Sequence, residues 1–208
     1  MLECELPTEY SDHEVIKQLQ RLVDEENLHD CTLTFRASGA KFHASAFLMS
    51  LCSPVLRTML CGGFHEGSSR EAFLEEVSAD AFRGAVDLWL GKVIAVPQIG
   101  ALIAVGGAAD RFGMKRVCTA VEKAICAAIA RDPLDCVEAL NACAMLPLGS
   151  VEVFAREAAV GSFRELCDTG RLLDASPDVL ASILDRDDLC ADGEEHVLEL
   201  LARWGEGR

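Results

Sequence analysis

Three reactive side chains crowd one short stretch, CGGFHEGSSREAF, residues 61–73: the Cys61 thiol, the His65 imidazole and the Glu66 carboxylate. A thiol with a nearby imidazole is the makings of a nucleophile with its base, and an imidazole with a carboxylate is an acid–base pair. The spacing argues against both, because adjacent side chains seldom face one another and no third group is placed to orient His65. The other histidines, His13, His29, His43 and His196, are scattered along the chain. Cysteines stand at 4, 31, 52, 61, 118, 126, 136, 143, 167 and 190 and never form C-x-x-C, the usual zinc and redox spacing. VGGAADRFG, residues 105–113, comes nearest to a phosphate-binding loop, but it lacks the lysine and does not directly follow a strand pattern. It reads as small residues in a packed helix. G-x-S-x-G, Walker, H-E-x-x-H and G-x-G-x-x-G motifs are all missing. The expectation is a protein without catalytic residues, cofactor or metal, which is to say not an enzyme.

The composition narrows the partners. Of 208 residues, 34 are acidic and 19 basic, a net charge of −15 that a phosphate backbone would repel. Residues 1–120 carry −5 and residues 121–208 carry −10, a shift that points to two structural units. The first residues are acidic and lack the apolar core of a signal peptide, so the cysteines read as reduced thiols of the cytoplasm or nucleus, mostly buried as small hydrophobes. The longest apolar region, residues 93–109, is interrupted by Pro97 and Gln98 and is no membrane span. Neither nucleic acid nor membrane is expected as a partner.

The elements that position these residues follow from periodicity. Ser11, three residues before Glu14, has the spacing of a capping box, and Val15, Ile16, Leu19, Leu22 and Val23 then form one apolar helical stripe. CTLTFR alternates as a half-buried strand, and ASGAKFHA supplies a glycine turn and a second strand, together a hairpin. Helical patterns in AFLMSL and VLRTML are separated by Ser53-Pro54, where proline suits a first helical turn. AFLEEV reads as a further strand, and the next helix carries Phe82, Val86 and Trp89 on one face. In the long helical pattern from Ile99, Gly106-Gly107 means either a break or a very close neighbour. Beyond it only helices follow: LDCVEALNACAML, VEVFAREAAVGSF, SPDVLASILD and DGEEHVLELLARW, the last with Asp192 three before Glu195 as a second capping box. The fold class is α+β: a mixed unit followed by a helical bundle.

The succession LHDCTLTF, KFHASAFLMSLCSPVLRTML, GFHEGSS, AFRGAVDLWL and AADRFGMKRV resembles a BTB/POZ domain, over residues 11–124. Residues 125–204 resemble a BACK domain, clearest in VGSFRELCDTGRLLDASPDVLASILDRDDLCADGEEHVLELLARW. That order is the one used by kelch-like adaptor proteins. The resemblance implies a small mixed sheet with surrounding helices, then an all-α BACK bundle. There are departures: Ser45 stands where the family has a histidine, with His43 two positions early relative to the pairing with Asp30, Leu90 replaces an aromatic residue, Val105-Gly106 replace larger aliphatics, and Ser162-Phe163 replaces Asn-Phe.

The family also implies a role for the opening stretch. In such adaptors a hydrophobic-x-Glu motif at this place packs on cullin-3, the scaffold of a ubiquitin ligase, and Phe64, His65 and Glu66 match it residue by residue. A buried aromatic anchor of this kind contributes on the order of 2 kcal/mol. Glu66 would orient the contact through charge-assisted hydrogen bonds. Otherwise Phe64 closes the domain's own core and Glu66 caps the next segment. The resemblance further implies a two-fold dimer through Val15, Ile16, Leu19, Leu22 and Val23, with residues 131–146 extending the cullin contact. The expected function is a substrate adaptor of a cullin-3 ubiquitin ligase for an unknown protein substrate. The alternative is a self-associating or transcription-related scaffold that engages no ligase.

Overall fold

The alternation of Cys31, Leu33 and Phe35 folds as expected into strand β2, Cys31–Phe35, with those three side chains buried. The computed structural model describes residues 1–7, 13–62, 69–146, 148–191 and 193–206. β1 is Leu2–Cys4, and helix α1, Glu14–Val23, precedes β2. The capping-box residue Ser11 lies outside the described residues; at the described start His13 is the cap, its Nδ1 accepting from Val15 N–H at 3.3 Å. β3, Lys41–Ala44, closes an antiparallel hairpin on β2 that sets Phe42 opposite Leu33. The turn between them uses Gly39 at φ +69°, a conformation that favours glycine. β4, Glu71–Leu74, joins the other side of β2 in parallel, giving the order β3-β2-β4.

Helices α2, Ala46–Cys52, and α3, Pro54–Cys61, pack as a pair, as do α4, Ala79–Trp89, and α5, Ile99–Arg111. Between α4 and α5 runs β5, Ile94–Val96, antiparallel to β1, with Leu2 opposite Val96. Phe82 and Val86 on α4 are buried, while Trp89 is half-buried. The Gly106-Gly107 question resolves as close packing: α5 runs unbroken, and a Cβ on Gly106 would lie 3.0 Å from Val121 Cγ1. Among the described residues Asp30 pairs with no histidine. Its Oδ1 accepts from Ala46 N–H at 2.7 Å, satisfying an open donor at the start of α2, while His43 Nδ1 sits 3.1 Å from Thr32 Oγ1.

Ser53 is the buried polar residue of this unit's core. Its hydroxyl donates to Phe112 C=O at 2.6 Å and accepts from Leu56 N–H at 3.1 Å, so one side chain caps α3 and ties it to the end of α5. Removing it leaves the Phe112 carbonyl buried without that partner. Ser53→Ala is expected to lower stability by about 1–3 kcal/mol, read as a fall in urea midpoint at unchanged slope, and Ser53→Thr to recover part of it.

The chain forms two compact units, Met1–Val121 and Glu122–Arg208. Helix α6, Lys115–Arg131, begins in the first and ends in the second. The second unit is helical among the described residues: α7, Cys136–Cys143; α8, Gly149–Gly161; α9, Phe163–Asp168; α10, Pro177–Leu184; and α11, Glu194–Glu206. Asp192, of the second proposed capping box, lies outside the described residues. Asn141 on α7 holds the connection into α10 from both sides, donating to Asp174 C=O and accepting from Ser176 N–H, each at 2.9 Å. Trp204 Nε1 donates to Ala175 C=O at 3.0 Å, so three successive residues of that connection are anchored by side chains from α7 and α11.

Candidate protein-interaction site

Phe64, His65 and Glu66 lie outside the described residues, and so does the question of whether His65 approaches Cys61. The elements on either side are fixed. α3 is held by the Ser53 cap and by buried Leu56 and Leu60, and β4 by buried Ala72 and Leu74. Immediately before β4, Arg70 C=O accepts from Thr32 N–H at 2.9 Å and Arg70 Nη1 stands 3.7 Å from Asp30 Oδ2.

The apolar stripe of α1 splits in two. Ile16 is buried and Leu19 and Val23 are half-buried, whereas Val15 is 56% and Leu22 36% exposed. Gln20 Nε2 donates to Leu90 C=O at 2.6 Å and fixes which side turns inward. One edge of the stripe therefore packs on its own domain and the other meets solvent. On α2, Phe47 is 66% and Leu51 50% exposed, one turn apart. Sequence reasoning placed this helix but missed its outward apolar pair; the i, i+4 spacing was the available signal.

Six of the cysteines are shielded thiols. All ten are free. Burial pushes the Cys52 and Cys136 thiols up to about 12 and those of Cys4, Cys31, Cys143 and Cys167 to about 11. At neutral pH these six are protonated and behave as small hydrophobes. Among the described residues no group of His, Cys, Asp or Glu is arranged to hold a metal ion, and no helix is long and apolar enough to cross a membrane.

Comparison with known proteins adds the following. The BTB/POZ domain family model matches residues 19–129, and the BACK model (BTB And C-terminal Kelch) matches residues 136–207. Kelch-like protein 40 of Xenopus tropicalis is 23% identical over 209 residues, covering 96% of this chain and 33% of that protein. Human Kelch-like protein 41 is 26% identical over 194 residues, covering 89% and 30%. The chain thus spans about a third of the length of these relatives. The solved BTB domain of zebrafish PATZ1 aligns at 17% identity over 57% of this chain and 94% of that one, with a TM-score of 0.43.

Proposed function

Since the chain belongs to the BTB/POZ family and carries a BACK domain behind its BTB domain, we propose that it is a substrate-adaptor subunit of a cullin-3 ubiquitin ligase. What supports this reading is the ordered BTB and BACK pair, together with the Phe64-x-Glu66 pattern, which resembles the cullin-contacting motif of kelch-like adaptors. The chemistry is positional. An adaptor that holds a substrate beside a charged ubiquitin-conjugating enzyme raises the effective concentration of the acceptor lysine, and needs no catalytic group of its own. Titration calorimetry of the full chain with the N-terminal domain of cullin-3 tests it. One cullin per protomer with sub-micromolar affinity supports the reading, and a folded protein that gives no heat overturns it for this cullin.

Dimerisation belongs to the same proposal. The exposed edge of α1 supports it, because a two-fold interface needs an apolar patch that can face its own copy. Val15→Asp with Leu22→Asp places charge on that edge and leaves buried Ile16 in place. Light scattering is expected to show the mass halved while the melting temperature of the monomer stays within a few degrees of its parent. An unchanged mass would remove α1 from the interface. The same exposed residues, with Phe47 and Leu51 on α2, are also what a self-associating scaffold without ligase binding would present, and calorimetry separates the two.

A further inference from the structure

We propose that the outward face of α11 is a docking site for an amphipathic helix of a partner protein, one that carries lysine or arginine in its last turn. This goes beyond the adaptor reading and does not rest on it.

α11 turns Val197, Leu200 and Trp204 inward, at the three- and four-residue spacing that shares one side of a helix. Leu200 is buried, Val197 and Trp204 are half-buried, and Trp204 Nε1 donates to Ala175 C=O at 3.0 Å. Two leucines do not follow them in. Leu198 is 64% and Leu201 38% exposed, and three residues apart they stand side by side on the surface. Ala202 and Gly205, four residues beyond each, are exposed as well, and a Cβ on Gly205 would meet nothing within 4 Å. A lone exposed leucine is ordinary, but a leucine pair at helical spacing beside small residues is the relief onto which the side chains of a second helix pack.

The first half of the helix gives this face its charge. A groove of about 660 Å³ lies there, lined by Asp168 of α9 and by Gly193, Glu194, Glu195, His196 and Glu199. Among the described residues four carboxylates and no lysine or arginine line it. His196 turns inward, with Nδ1 buried and Nε2 4.0 Å from Asp168 Oδ1, so a proton on its ring offsets Asp168 and leaves three glutamates. Those three form no salt bridge among the described residues. Arg203, the single Lys or Arg of α11, lies outside the lining beside Gly170, and α9, with Arg164, Glu165 and Asp168, is itself net negative.

Charge and direction together select the occupant. Leu198 has Glu194 and Glu195 one turn before it and Leu201 and Ala202 one turn after, so an acidic stretch and an apolar one follow each other along the same face. A helix favours cations in its last turn, where its unpaired carbonyls gather. Laid antiparallel to α11, such a helix sets that turn over Glu194, Glu195 and Glu199 and its earlier apolar residues over Leu198 and Leu201. An acidic helix could make the same apolar contact only against like charge, which disfavours it.

The test is fluorescence anisotropy of a labelled, capped helical peptide of about 18 residues, alanine-based, with leucines at helical spacing and lysines in its last turn on the same face, titrated with the full chain. Saturable binding is expected. It should weaken about tenfold or more in Glu194→Lys with Glu199→Lys, and by a similar factor in Leu198→Ala with Leu201→Ala, with the fold of each variant checked by its melt. A peptide with glutamates in place of the lysines should not bind, and one with the lysines moved to its first turn should bind more weakly. The proposal is overturned by an absence of saturable binding, by equal binding of either control peptide, or by indifference to the leucine pair. It is also overturned if light scattering shows the mass of the Leu198→Ala with Leu201→Ala chain halved, which would give the face to a second copy. Cullin binding by the charge-reversed variant should equal that of the parent, so failure of this site and failure of the adaptor reading are distinguishable.

Discussion

Phe64→Ala and Glu66→Ala are each expected to weaken binding to the cullin-3 N-terminal domain by about 30-fold or more, without changing the oligomeric state. The magnitude follows from hot-spot energetics: truncating a buried aromatic anchor costs on the order of 2 kcal/mol, and each 1.4 kcal/mol is about tenfold in affinity. For Glu66 the loss comes from removing the carboxylate while leaving its donors on the partner desolvated and unpaired, which costs more than the bond itself contributed. His65, between them in the motif, contributes least, and His65→Ala is expected within about threefold of the parent. The competing arrangement, in which Phe64 closes the domain's own core, predicts a different pair of observables. There Phe64→Ala would lower the melting temperature, and any loss of cullin binding would follow the loss of fold. Calorimetry and thermal melts on the same preparations decide it: weakened binding at constant melting temperature supports the contact, and unaltered binding removes Phe64 from it.

What the sequence alone can disclose depends on how far a signal extends along the chain. The hairpin of β2 and β3 was legible because Cys31, Leu33 and Phe35 alternate over a full strand and Gly39 marks the turn. The α2–α3 break was legible because Ser53-Pro54 punctuates it. β1 and β5 were not: each has three residues, too few for a period, and they pair across more than ninety positions of sequence, Leu2 with Val96. Gly106-Gly107 posed two alternatives that only the distance to Val121 could separate. The candidate site divides in the same way. The roles proposed for Phe64 and Glu66 rest on the order of motifs around them, since three residues alone carry almost no information. That β3 lies at the sheet's edge cannot be read from its alternation, because a strand's own pattern does not say which neighbours it has; that follows from the order β3-β2-β4.

The second large effect is on stability, at Phe82. Its ring is fully buried, and three others pack around it: Phe35 at 5.6 Å, Phe42 at 5.4 Å and Phe112 at 5.1 Å between centroids, the last two edge-on. These rings come from β2, β3 and the end of α5, so one side chain of α4 joins the sheet to the helical pair. Phe82→Ala removes the burial, leaves a cavity among rings that are themselves held by backbone, and loses the edge-on contacts. Truncation at such a site costs about 3–5 kcal/mol, and edge-on pairs add about 0.5–1.5 kcal/mol each beyond burial. Against a domain stability of about 5–15 kcal/mol, that is a large fraction of the total. Urea denaturation followed by Trp89 fluorescence in a Trp204→Phe background should show the midpoint falling at constant slope, and a loss below about 1.5 kcal/mol would mean that the ring cluster carries little of the unit's stability. The effect should also reach Arg83, whose guanidinium lies over the Phe42 ring at 5.3 Å, so a variant that frees the Phe42 ring loosens that contact too. Phe82→Leu, which refills part of the cavity, should recover part of the stability and not all of it, because a branched aliphatic occupies volume without offering Phe42 an edge-on partner.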